Sequence, residues 1–96
     1  MKSNLEILHN EFPGMEKWER FSNLAREIDV SEIKKEFPNI EDSILKVLFS
    51  KLGKDIDRTK LWLSTSNPAL DGKSPLNIYC QEGGIYILKT LLMRMH

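Results

Sequence analysis

Prolines and glycines cut this chain into pieces too short for anything but a cluster of small elements. Pro13-Gly14, Pro38, Gly53, Pro68, Gly72, Pro75 and Gly83-Gly84 punctuate its 96 residues. Each proline removes a backbone donor, and each glycine frees the backbone to turn. Between these breaks apolar residues recur at spacings of three and four, the helical period. Ser3-Asn4-Leu5-Glu6 has the form of a capping box and opens a short helix that ends before Pro13. Trp18, Phe21, Leu24, Ala25 and Ile28 then share one face of a helix from Met15 to about Ile28. Asp29 or Ser31 caps a short helix carrying Ile33 and Phe37, which stops near Pro38. Asn39 caps a stronger helix with Ile44, Leu45, Leu48, Phe49 and Leu52 facing inward and Gly53 as its stop.

Asp57 is the expected cap of a helix through Leu61, Trp62 and Leu63. The run that follows, Ser64-Thr65-Ser66-Asn67-Pro68-Ala69-Leu70-Asp71-Gly72-Lys73, is dense in turn formers, with the Asn-Pro and Asp-Gly pairs among them. Ser74-Pro75 restarts a helix, because proline fits the first helical position, where its missing N–H bonds to nothing. Leu76, Tyr79 and Cys80 give that helix an apolar stripe. Gly83-Gly84 breaks it, and Ile85, Leu88, Leu91, Leu92 and Met95 define a last amphipathic helix. No strand pair or internal repeat is legible. The expected fold is all-α, a small bundle of about six short helices. Its one seam, Gly53 to Asp57, divides an N-terminal helical region, residues 1–53, from a C-terminal unit, residues 54–96.

Composition narrows the function. The apolar share of 41% and charged share of 29% are those of a soluble domain, with no apolar run long enough to span a membrane. The N-terminus lacks the apolar core of a signal peptide, and the single Cys80 suits a reducing cytoplasm. His9 and His96 lie near opposite ends, and Cys80 has no base near it in sequence. No ligand spacing suits a metal and no glycine loop suits a phosphate, so neither an enzyme nor a cofactor is expected. Fourteen basic residues balance fourteen acidic ones, interleaved as in Glu16-Lys17-Trp18-Glu19-Arg20, which disfavours strong DNA binding and favours a protein partner. Leu24 to Ile33 can be read as a degenerate helix-turn-helix. Its presumed recognition helix, Ser31 to Phe37, is short, half acidic and cut off by Pro38. A helical corner packed for stability accounts for the same residues.

Turn chemistry explains the residue types between Leu61 and Leu76 but not their order. Trp62-Leu63, Asn67-Pro68-Ala69-Leu70, Gly72-Lys73-Ser74-Pro75-Leu76, Gly84 and Leu92-Met93-Arg94-Met95 follow one another in the pattern of a known family. From about Asp55 to His96 the chain resembles the C-terminal toxin-binding domain of the Xre/MbcA/ParS family of bacterial antitoxins. The resemblance implies a type II antitoxin, a helical unit that neutralises a partner protein. The typical partner is a RES-domain toxin that attacks NAD or transfers ADP-ribose from it, with the antitoxin covering its active-site entrance. It also allows a homodimer, and a DNA-binding transcriptional autoregulator whose C-terminal domain serves dimerisation. On that basis the toxin-binding candidates are Lys73, Arg94, Met95 and His96. Trp62, Asn67, Pro68, Leu70, Gly72, Pro75, Leu76 and Gly84 carry the motif's structure. The chain departs from the family pattern at Ser66, where proline is favoured, and at Asp71, where glycine is favoured. Family members usually continue beyond the position of His96, so Arg94 and the terminal carboxylate can stand in for that tail.

Overall fold

Each of the breaks read from the sequence lies between α-helices or at the first residue of one in the computed structural model, which describes residues 3–95. Seven α-helices follow in order: α1 (Asn4–Asn10), α2 (Met15–Ser22), α3 (Ser31–Glu36), α4 (Asp42–Lys51), α5 (Ile56–Ser64), α6 (Pro75–Tyr79) and α7 (Gly84–Arg94). Single 3-10 turns occupy Asn23–Ala25 and Pro68–Leu70. The fold is all-α, with no strand among the described residues, as the periodicity predicts.

Local chemistry sets most of the boundaries. Ser3 Oγ accepts the backbone N–H of Glu6 at the start of α1. Asp29 accepts the backbone N–H of Ser31 at 2.9 Å, but the residue at the N-cap of α3 is Val30, so neither Asp29 nor Ser31 holds the cap position expected of it. α5 is capped by Asp55, whose Oδ1 accepts Arg58 N–H at 3.0 Å; the expected cap, Asp57, lies one turn position too far in. Asn39 does not cap α4 either. Ile40 is buried, which carries the chain through a further turn before the helix begins at Asp42.

The helix expected from Met15 to Ile28 stops at Ser22 and tightens into the 3-10 turn. Tightening changes the angle between successive side chains. Ala25 stays in the core while Leu24, expected inward, stands 87% exposed. In α6 the buried residues are Pro75 and Ile78; Cys80, expected on the apolar stripe, is exposed.

Two apolar clusters form the interior. One joins Trp18, Ile33, Ile44, Leu45, Leu48, Leu63 and Leu92, drawn from α2, α3, α4, α5 and α7. The other joins Leu8 of α1, Leu70, Ile78 of α6, and Ile87, Leu88 and Leu91 of α7. α7 therefore runs between both clusters, and Trp62, Tyr79 and Met95 pack against each of them.

Candidate functional site

The turn-rich run between α5 and α6 is organised by Asn67. Its Oδ1 accepts Ala69 N–H at 2.9 Å, and its backbone oxygen accepts Leu70 and Gly72 N–H. Its own N–H donates to the Lys73 oxygen at 3.1 Å, closing an isolated antiparallel bridge. Pro68 sits at the first position of the 3-10 turn, and Leu70 at its end drops into the core with no exposure. Asp71 and Gly72 both take positive φ, 55° and 82°. Aspartate tolerates that left-handed backbone better than most residues, which is how it stands where glycine is expected. Ser74 accepts Asn77 N–H and Pro75 opens α6, as read from the sequence.

α1 is tied to this loop. Asn4 donates to the Pro68 oxygen and the Leu5 N–H donates to the Asp71 carboxylate. Tyr79 ties α6 to the start of α4: its hydroxyl donates to the Asn39 oxygen at 3.0 Å and accepts Glu41 N–H at 3.1 Å. Gly84 lies where α7 begins against α6, and a methyl group there would run into the Ile78 carbonyl.

α7 is buried nearly all round: Ile87, Leu88, Lys89, Thr90, Leu91 and Leu92 are all interior. Only its end, with Met93, Arg94 and Met95, approaches the surface among the matched positions. Arg94 is exposed and pairs with Glu11, which follows α1. Met95 is half-buried, and its backbone oxygen accepts the Lys51 ammonium at 2.6 Å. Lys51 in turn lies 5.3 Å from the Phe21 ring centroid. His96 lies outside the described residues. Lys73 is exposed on the loop, so the structure separates it from the Arg94–Met95 end by the length of α6 and α7 in sequence.

Two features of this region escaped sequence reasoning. Lys89 is 1% exposed, pairs with Glu41 at 3.1 Å and lies 5.5 Å from the Trp18 ring centroid. A lysine inside the run Ile85 to Met93, apolar on every face of the helix, is the signal for it. The other is a shallow apolar groove along α5, lined by Arg58, Leu61, Trp62 and Pro68. Leu61, Trp62 and Leu63 are consecutive, and a helix cannot turn three consecutive side chains inward. Leu63 is fully buried, Trp62 half-buried and Leu61 67% exposed.

Among the described residues no three His, Cys, Asp or Glu side chains converge on one point, and no helix is long and apolar enough to cross a membrane. Residues 48–96 match the family model described as the antitoxin Xre/MbcA/ParS C-terminal toxin-binding domain. Neither the curated proteins nor the solved structures contain a significant match.

Proposed function

The chain belongs to the Xre/MbcA/ParS antitoxin family through its C-terminal toxin-binding domain, and from that membership we propose that it neutralises a RES-domain, NAD-consuming toxin by covering the entrance to its active site. The observation that carries this reading is the ordered signature from Trp62 to Arg94 inside the matched segment. It acts by binding and performs no chemistry of its own.

Physical features of the module suit that role. Its turn-rich loop is closed by bonds within the chain, and none of its buried side-chain polar atoms lacks a partner among the described residues. A preformed surface pays less ordering entropy on association than a segment that folds on binding. Arg94 is held to Glu11 by an exposed pair, and such pairs contribute only about 0–1 kcal/mol. Its guanidinium can therefore exchange Glu11 for a carboxylate of the toxin at little cost, and Lys73 can add a second charge contact at the rim. The N-terminal helices complete the fold around α7. A second copy of the chain is an added partner this reading accommodates.

Co-expression with a RES-domain toxin tests the proposal. Restored growth and a co-purifying complex are expected. Continued toxicity with no complex would overturn it.

A further inference from the structure

The groove along α5 is open, about 350 Å³ in volume, with a floor of Leu61, Trp62 and Pro68. A single exposed leucine is ordinary on a protein surface. Here Leu61 adjoins a half-buried tryptophan and an exposed proline in a concavity, with Arg58 on the wall. Tryptophan and arginine are the residue types that dominate binding energy at protein interfaces.

Arg58 is the charged residue in the lining of the groove. Among the described residues neither Arg58 nor Lys73 pairs with a carboxylate; the ion pairs lie at Arg20, Arg26, Lys34, Lys60, Lys89 and Arg94. Lys73 is bridged through its backbone to Asn67, which lines the same groove. The carboxylates nearest in sequence are engaged elsewhere. Asp55 caps α5 through the Arg58 backbone, and Asp71 accepts the Leu5 N–H. Asp57 sits on the side of Lys60, whose ammonium is held above its ordinary value by the Glu36 hydrogen bond and, more weakly, by the Asp57 charge.

We infer that this groove is a docking surface for the toxin, taking an apolar side chain of the partner flanked by acidic residues. The inference rests on the antitoxin reading and adds to it a surface away from the end of α7. An apolar floor complements a protein segment and gives no favourable contact to a nucleic-acid phosphate, while the unpaired Arg58 in the lining complements an acidic flank.

The test titrates the purified RES-domain partner with the full chain and with three variants, Leu61→Asp, Arg58→Glu and Arg94→Glu. Leu61 and Arg58 are exposed, so both groove variants should melt as the wild type does, and thermal melts by circular dichroism check this. Expected are a loss of at least about tenfold in affinity for Leu61→Asp and, for Arg58→Glu, weaker binding with a shallower salt dependence. Wild-type affinity in both groove variants would overturn the groove while leaving the antitoxin reading intact, the more so if Arg94→Glu alone weakens binding. No complex with the wild type would overturn the antitoxin reading and the groove's assignment together. A dimer by light scattering that Leu61→Asp splits without weakening toxin binding would assign the groove to a second copy, and overturn the inference.

Discussion

Gly84 supplies space rather than freedom of the backbone: it is helical, and what it contributes is the absence of a side chain against the Ile78 carbonyl. That neighbour is backbone and cannot rotate aside. Gly84→Ala should therefore cost about 1–3 kcal/mol, read from chemical denaturation, or separate α6 from α7. Lys89 makes a different case. Its stem is packed in the core, while its partner Glu41 keeps 36% of its side chain in contact with solvent. Removing the stem and charge together by Lys89→Ala leaves a cavity and should cost about 3 kcal/mol. Lys89→Met keeps the volume, frees Glu41 to hydrate, and should stay within about 1 kcal/mol of the wild type. A large loss in Lys89→Met would show that the ion pair itself holds α7 in place. Residue chemistry of this kind was partly legible beforehand. The strain at Asp71 follows from its position in a motif that favours glycine. The pairing of Lys89 with Glu41 does not, because that partner arrives from a segment far away in sequence.

Helix starts follow capping chemistry, and the errors are instructive about why. Neither Asp29 nor Ser31 is the N-cap of α3, which is Val30, although Asp29 accepts the Ser31 N–H; at α5 both Asp55 and Asp57 have the right chemistry, and backbone geometry gives the cap to Asp55. Leu24 obeys the helical period but lies in a 3-10 turn, where that period no longer holds. The carboxylates at these starts also give the fold an acid limb. The Ser31 backbone N–H holds the Asp29 carboxyl below its ordinary value of 3.8, and the Lys34 hydrogen bond does the same for Asp42. A carboxyl with a depressed value in the folded state favours folding above 3.8 and loses that contribution as pH falls through the lower folded value. The double variant Asp29→Asn, Asp42→Asn should thus track the wild type's pH dependence near neutrality and lose less stability below about pH 4. Denaturation midpoints across that range check the sign. Equal acid limbs in the two proteins would show that neither carboxyl contributes.

Across the whole molecule, α7 is the member that the two apolar clusters share, so the toxin-binding module and the N-terminal helices rest on a common element. All-α class was legible from punctuation and period, and the module from the order of its motif. Which surface the fold leaves open was not. The apolar residues of α7 suggest an amphipathic helix with one face to offer, yet α1, α2, α4 and α6 all pack around it. Accessible parts include Tyr86 and the end carrying Arg94 on α7, and the groove beside Trp62. The proposed antitoxin activity is tested most directly by following NAD consumption by a purified RES-domain toxin, the partner proposed above, while the full chain is titrated in. Consumption should fall with added chain and stop once the toxin is saturated, and Leu61→Asp or Arg94→Glu should shift that titration to higher concentration. NAD loss that continues unchanged in a large excess of folded chain would contradict it.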